Sequence, residues 1–172
     1  MRSWIFPWKL NEQSSKMRFR RLTTEELLAL ETEFKQFLII HELYDEEWRK
    51  LAAESPEKAE DFIGLFSDVV FDKIYNELTY LVHFSDNLVS FFDVSSDPLR
   101  AFHIQSSKDI SLDNEEALRT AFSDHADKLS FFKGQKQLQK PKAEEVWDLI
   151  GKGCQKCDES YFQFYMQAFD LK

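Results

Sequence analysis

The chain has 172 residues, of which 43% are hydrophobic and 15% aromatic, but it contains only four glycines and four prolines. A chain of this size can bury roughly 70% of its unfolded surface around one core, which disfavours a disordered chain and favours one packed domain. Its 31 acidic and 22 basic side chains give a formal net charge of -9, which repels phosphates and disfavours general nucleic-acid binding.

The chain opens with MRSWIFPWKL, an apolar run that Pro7 interrupts. The run is too short for a secretory signal and lacks a small-residue cleavage site, and no later run is long enough to span a bilayer. We therefore expect a cytoplasmic protein without a transmembrane segment. We interpret residues 1–16 as an N-terminal extension that either folds back or stays flexible, and residues 17–172 as a single domain.

Three helices are predicted before any strand. A T-x-x-E capping box at Thr23 begins a helix over residues 24 to about 42, in which apolar residues recur at helical spacing. Asp45 is expected to cap a short second helix. Pro56 begins a long third helix, because proline suits the first helical position, where no N–H donor is needed.

After the third helix the apolar period changes to two, which is typical of strands. We expect an antiparallel meander over residues 78–84, 88–95 and 99–105, with Asp86-Asn87 forming the first hairpin turn. One face of this sheet should contact the helices and the other should be solvated. The side chains predicted on the helix-facing side are Tyr80, Val82, Phe84, Phe92, Val94, Phe102 and Ile104.

Further helices are predicted near Asp113, after Pro141 and through ESYFQFYMQAF at the end of the chain. The stretch KLSFFKGQKQLQKPK, residues 128–142, stays unassigned, because its two phenylalanines suggest a strand and its lysines suggest a solvated loop. The predicted fold class is α+β. N-terminal helices pack on a small antiparallel sheet of about three strands, and further helices follow.

The stretch GKGCQKC, residues 151–157, places Cys154 and Cys157 three positions apart. Neighbouring lysines and a helix N-terminus would stabilise a thiolate, so a redox pair is one interpretation. Half of a zinc site is another, although four ligands are needed and the four histidines show no paired ligand spacing. The motif does not follow a strand in a βαβ unit. We therefore favour an ordinary helix-to-helix connection and predict no metal and no cofactor.

The histidines do not form an evident catalytic group. His83 and His103 are expected on strands separated by a third, about 10 Å apart. His41 and His125 each continue an apolar helical stripe, which is typical of a structural histidine. The chain also lacks a G-x-S-x-G elbow, a phosphate-binding glycine loop and an H-E-x-x-H motif, so the sequence favours a protein that is not an enzyme.

Two basic groups lie near aromatic residues, an arrangement that sometimes holds single-stranded nucleic acid. The candidate anion contacts are Arg18, Arg20, Arg21, Lys133 and Lys136. Solvated surface charge is the interpretation we favour, because the whole chain is strongly acidic. A nucleic-acid accessory protein is kept as a second alternative.

Three segments carry a resemblance to a known family: MRFRRLTTEELLALETEFKQFL, FSDVVFDKI and FFKGQKQLQKP. They resemble an uncharacterised domain family found mainly in Bacteroidetes. The likeness extends from Met17 to the C-terminus and makes Met17 an alternative start. The family has no assigned activity, so the resemblance implies no functional residue.

The function is thus unknown from sequence, and our hypothesis is a noncatalytic, soluble interaction or regulatory protein. It rests on the aromatic surplus in the first and last segments and predicts a protein partner or a homo-oligomer. The alternative, from a different functional class, is a thiol-redox or metal-binding protein that uses Cys154 and Cys157.

Overall fold

The structure, a computed structural model, describes residues 17–170 of the chain. The predicted α+β class is confirmed, because both helices and an antiparallel sheet form in this range. The chain divides after Val70, within the helix Pro56–Glu77, into two compact units. No helix among the described residues is long and apolar enough to cross a bilayer. The predicted extension, residues 1–16, lies outside the described residues.

The first unit is helical. Its elements are α1 (Thr24–Ala29), α2 (Glu31–Ile40), α3 (Asp45–Glu54) and the part of α4 (Pro56–Glu77) that precedes the division. The capping box at Thr23 is confirmed, since the side chains of Thr23 and Glu26 each accept the other's backbone N–H. The single helix predicted after it is wrong, because non-helical torsion angles at Leu30 separate α1 from α2. Asp45 is the first residue of α3, and Tyr44 holds the cap position.

A buried carboxylate holds the segment before α1 against α4. Asp68 accepts the backbone N–H of Arg18 at 3.0 and 3.1 Å and that of Phe19 at 3.0 Å. The Leu22 N–H donates to the neighbouring Ser67 hydroxyl at 3.1 Å. These bonds satisfy polar groups that would otherwise be buried without partners. The buried apolar residues of this unit are Phe19, Leu22, Phe34, Leu38, Ala59 and Phe66.

The C-terminus of α2 places a non-glycine residue in the left-handed region. Glu42 has a φ of 60°, and the bonds from Leu43 N–H to Leu38 O and from Glu42 N–H to Ile39 O form a Schellman motif. Glycine adopts this conformation without the Cβ conflict. We expect Glu42→Gly to raise the free energy of unfolding by about 0.5–1 kcal/mol in urea titrations. Glu42→Ala, the control, should give no gain, and an equal gain would contradict the explanation.

The second unit contains all five strands of the sheet. Its remaining elements are β1 (Tyr80–Ser85), β2 (Leu88–Asp93), β3 (Leu99–Ser106), α5 (Glu115–Asp124), β4 (Leu129–Lys136), α6 (Lys142–Gly151), β5 (Gln155–Lys156) and α7 (Glu159–Asp170). A short 3-10 helix precedes β4. The end of α4 contacts α6 through the Tyr75 and Trp147 rings, whose centroids are 5.7 Å apart.

The sheet is antiparallel throughout, with the strand order β4-β3-β2-β1-β5. The predicted meander is confirmed as β1 to β3, with a two-residue turn at Asp86-Asn87 between β1 and β2. Two strands were not predicted. β4 comes from the stretch left unassigned, and β5 lies inside the C-x-x-C motif. The sheet therefore has five strands instead of about three, and both unpredicted strands are edge strands.

One face of the sheet, here called the packed face, is covered by α5 and α7. Its core cluster includes Val82, Val89, Phe91, Phe102 and Ile104 from the strands and Leu118, Ala121, Phe162 and Tyr165 from the helices. The opposite face is here called the second face. The prediction for Phe92 is wrong, because the register pairs Val82 with Phe91 and places Phe92 beside Leu81 on the second face. Val94 lies beyond the end of β2.

Candidate functional site

The C-x-x-C motif forms a turn followed by an edge strand. Gly153 adopts a φ of 95°, which glycine tolerates, and lets the chain reverse after α6. The next residues form β5, which pairs with β1 through Leu81 and Val82. The Cys157 N–H then donates to the Tyr80 carbonyl at 2.9 Å. Backbone pairing to β1 therefore fixes the motif between α6 and α7.

The two cysteines lie on opposite faces of the sheet. Side chains alternate along a strand, so residues three positions apart around β5 point in opposite directions. Cys157 belongs to the core cluster of the packed face, whereas Cys154 is buried outside that cluster. Both cysteines are free. A disulfide requires the two Cβ atoms about 3.5–4.5 Å apart with their bonds directed toward each other, which this alternation does not provide.

Burial also makes both thiols poor nucleophiles. Cys154 is 6% exposed and Cys157 is 5% exposed. Desolvation raises the pKa of Cys154 to about 11, although the Lys152 ammonium partly offsets the effect. Desolvation also raises the pKa of Cys157 to about 11, and the carboxylates of Asp158 and Glu115 add to the rise. The thiolate is the reactive form, so this environment gives no support to the redox interpretation.

A row of three polar side chains and one phenylalanine crosses the second face. The register places His83, Ser90, His103 and Phe132 side by side on four neighbouring strands. Ser90 Oγ and His103 Nδ1 lie 2.8 Å apart, within hydrogen-bonding distance. The predicted placement of the two histidines on strands separated by a third is confirmed, and the serine between them is a contact that the sequence pattern does not reveal.

The Ser90–His103 hydrogen bond in this row has a structural role in the sheet. Ser90 is buried, so a substrate has little access to its hydroxyl. Burial lowers the pKa of His103 and favours the neutral imidazole that a serine hydroxyl can bond. His83 lies next to Gly153, where an added Cβ would come within 3.4 Å of the imidazole ring. The row thus satisfies a buried hydroxyl inside the sheet.

The other two histidines end helices. His41 follows α2 and packs against the Phe37 ring, with centroids 4.4 Å apart. Burial lowers the pKa of His41, which favours the neutral imidazole. His125 follows α5 and lines a shallow groove of about 420 Å³ together with Asp109 and Asn114.

Two of the three candidate arginines bind carboxylates of the first unit through their side chains. The Arg20 guanidinium makes two bonds to Glu26, at 2.6 and 2.7 Å. This hydrogen bonding, together with the Thr23 N–H bond, lowers the pKa of Glu26 to about 2. Arg21 is paired with Glu60. The guanidinium of Arg18 lies 5.2 Å from the centroid of the Phe19 ring. These partners weaken the case for an anion at the three arginines.

The candidate lysines both lie on β4 in the second unit. Lys136 binds the buried carboxylate of Glu145 at 2.6 Å. Glu145 also accepts the Gln139 N–H at 3.0 Å, and these bonds lower its pKa against the opposing effect of desolvation. Lys133 is exposed. An anion site at Lys133 and Lys136 stays a prediction, with Lys136 already holding a structural ion pair.

Metal ligands do not converge in the part of the chain that the structure describes. No group of three or more histidine, cysteine, aspartate or glutamate side chains there is placed to hold a metal ion. A second shallow groove, of about 610 Å³, includes Cys157 in its lining. Its rim is acidic, with Glu77, Asp158 and Glu159 around one ammonium group, that of Lys156.

Among the strands of the sheet, β4 has the largest number of exposed residues, six of its eight. Within β4 itself, only Leu129 is buried and Phe131 half-buried, while the remaining residues are exposed. Phe132 is 50% exposed, although it is a large aromatic residue in a regular strand. The alternation of Leu129 and Phe131 toward the packed face was a period-two signal that could have identified this strand.

Comparison with known proteins adds a family but no activity. A family of unknown function, DUF6495, matches residues 17–170. This chain belongs to the DUF6495 family. No curated protein and no solved structure matches it. The resemblance found in the three sequence segments is thereby confirmed as a family of unknown function.

The DUF6495 match covers every candidate site residue named above. The family carries no assigned chemistry, so membership adds no role for Cys154, Cys157 or the basic residues. Function therefore has to be inferred from the geometry of the DUF6495 region itself, in which the cysteines are buried and β4 is open to solvent.

Proposed function

We propose that this DUF6495 protein is a noncatalytic interaction or regulatory protein that contacts its partner through β4. The observation that carries the proposal is the open edge of the sheet, where an eight-residue strand is exposed along most of its length. An edge strand offers unpaired backbone N–H and C=O groups, which are a template for pairing with another chain. No strand of residues 17–170 pairs with the outer side of β4.

Exposed apolar side chains support the same proposal. In the second unit the large exposed hydrophobic residues are Ile74, Phe132 and Phe164. In the first unit they are Leu28, Ile39, Ile40 and Tyr44. Most described aromatic residues of α7 pack in the core instead, and Phe164 is the exposed exception. The predicted aromatic surface of the first segment, including Trp4 and Trp8, lies outside the described residues.

The proposal includes a bacterial, cytoplasmic setting and a single domain formed by residues 17–172. Two free, buried cysteines support a reducing compartment. The length of the chain supports the single domain. The sequence resemblance supports the Bacteroidetes origin.

Site-specific photo-cross-linking tests the proposal. We expect p-benzoyl-phenylalanine at position 132 to give a discrete protein adduct in cells, because a bound partner would lie against β4. The same probe at Thr120, an exposed residue of α5, is the control and should give none. Light scattering on the purified protein reports self-association in parallel. A strictly monomeric protein with no adduct at position 132 would contradict the proposal.

A further inference from the structure

The open edge of the sheet also carries a self-complementary pattern of side chains. We infer that two copies of the chain pair through β4 in antiparallel orientation, with Phe132 of each copy placed over Gly134 of the other. The inference rests on the proposed function, because it names a second copy as the partner that the open edge accepts. It is carried by the length of the edge, by a strand glycine that the fold of one chain does not explain, and by the exposed ring two positions before it.

The two edges of the sheet differ in length and cover. β5 has two residues, is flanked by the buried Cys154 and Cys157, and leads almost directly into α7. β4 has eight residues and pairs with β3 along its whole length. The residues numbered 132–137 are all exposed. A strand of a second chain therefore has room for several backbone hydrogen bonds along β4, the arrangement known as β-augmentation.

Gly134 is a glycine for which one chain alone gives no reason. Its φ lies outside the left-handed region that favours glycine. The register between β3 and β4 runs without interruption through Gly134, so this residue does not form a bulge. A Cβ atom added there would meet no other atom within 4 Å. Glycine weakens the interior of a strand, and apart from bends and bulges it marks a place where another backbone or a ligand approaches closely.

Phe132 and Gly134 form a projection and a gap on the same face of β4. Residues two positions apart in a strand point to the same side, which here is the second face. The Phe132 side chain is 50% exposed, whereas Gly134 presents no side chain at all. An aromatic ring placed across from an edge glycine stabilises the pairing of the two strands. An added strand is therefore most favourable when it places an aromatic ring opposite Gly134 and leaves room opposite Phe132.

A second β4 strand meets both requirements at once. Antiparallel pairing about a two-fold axis at Lys133 places Phe132 opposite the partner's Gly134 and Gly134 opposite the partner's Phe132. Even-numbered positions then pair with even-numbered positions, so the second faces of both copies lie on the same side of one continuous sheet. Two-fold dimers use the same patch on both copies and are the commonest homo-oligomers. The projection and the gap are thus each used twice.

The lysines of β4 permit this alignment but weaken it. Lys136 lies opposite the partner's Ser130 and keeps the ion pair with Glu145 of its own chain. Lys133 meets the partner's Lys133 at the axis, and like charges directly opposite each other oppose pairing. We therefore expect a reversible dimer whose population rises with protein concentration.

Analytical ultracentrifugation of the full chain tests the dimer. We expect the average mass to rise from that of one chain toward that of two between about 5 µM and about 500 µM. Phe132→Ala should raise the dimer dissociation constant at least about tenfold, because the two-fold axis repeats the loss in both copies. Phe164→Ala removes another exposed ring, on α7, and should change the dissociation constant less than about twofold.

Filling the gap supplies the second arm. Gly134→Val should raise the dimer dissociation constant at least about tenfold, since the added side chain occupies the place of the partner's ring. The monomer should be as stable or more stable, because valine suits a strand and meets no atom within 4 Å. Gly151→Val is the control, at an exposed helical glycine with equally open surroundings. A dimer that neither Phe132→Ala nor Gly134→Val weakens would overturn the inference.

Cysteine cross-linking tests the alignment itself. In this alignment position 133 meets its own copy, whereas the two copies of residue 135 lie about 13 Å apart. A disulfide requires Cα atoms about 4.4–6.8 Å apart. Oxidation with diamide should therefore link Lys133→Cys into a covalent dimer and leave Gln135→Cys unlinked. The native Cys154 and Cys157 are buried and present in both variants. Equal linking of the two variants would overturn the alignment and with it the inference.

The outcomes for the two proposals are separable. A cross-linked adduct at position 132 that contains two copies of the chain supports both. An adduct that contains only a different protein overturns the dimer inference and leaves the proposed function standing. A protein that stays monomeric over the whole concentration range and gives no adduct overturns both.

Discussion

Both thiols of the native protein are expected to react with iodoacetamide at pH 8 about 100-fold more slowly than those of the unfolded chain. The pKa of each thiol rises from an ordinary value of 9.0 to about 11 through burial. At pH 8 the thiolate fraction then falls from about one in ten to about one in a thousand. Limited access to the sulfur atoms should slow the reaction further.

The raised thiol pKa values also predict how stability and the reaction rate change with pH. Folding favours the protonated form of both thiols, because each thiol has a higher pKa in the folded than in the unfolded chain. Their contribution to stability is therefore complete below the thiol pKa of the unfolded chain. It is lost as pH rises through the thiol pKa of the folded chain, about 11. The native reaction rate should rise about tenfold per pH unit up to that value. Cys154→Ser and Cys157→Ser variants assign the rate to each thiol. Native rates equal to those in urea, or a disulfide found by mass spectrometry, would contradict it.

Replacing Phe91 by alanine is expected to lower the free energy of unfolding by about 3–5 kcal/mol. Phe91 is 1% exposed at the centre of the packed face. Its ring stacks on Tyr165 at 5.3 Å and meets Phe162 edge-on at 6.2 Å. Truncation removes buried apolar surface and leaves a cavity that the neighbouring rings can fill only in part. Urea titration followed by circular dichroism measures the loss.

Phe164→Ala is the matched control for the same chemical change. Phe164 lies on α7 beside Tyr165 but is 62% exposed, so its truncation should change stability by no more than about 1 kcal/mol. The contrast between the two phenylalanines tests the sheet register directly. A larger loss at Phe164 than at Phe91 would show that α7 packs differently.

Local signals predicted the parts of the fold that depend on neighbouring residues. The capping box at Thr23, the proline at the start of α4 and the turn at Asp86-Asn87 each act within a few positions, and all three were identified. Local signals could not predict which of Phe91 and Phe92 faces the packed face, because two adjacent phenylalanines fit a period of two in either register. Pairing with β1 and β3 decides it, and that information is not local.

The properties of the candidate site were harder to predict from sequence, because they also depend on contacts between residues that are distant in the chain. The lysines around Cys154 suggested an activated thiol, but the pKa is set mainly by burial, which depends on the sheet and on α7. The arginines suggested a free basic patch, and distant Glu60 now pairs with one of them. The sequence leaves the β4 stretch open between a strand and a solvated loop, because its phenylalanines favour the first and its lysines the second. The structure makes it an edge strand, where lysine is common.

The carboxylate of Asp68 also defines how short the folded protein can be made. A truncated chain that begins at Arg20 would delete every backbone N–H that Asp68 accepts from residues 18 and 19. The charge would remain in α4 at a position only 6% exposed, where an unpaired carboxylate is strongly destabilising. Affinity tags and protease sites therefore belong upstream of Met17, so that their removal leaves this anchor intact.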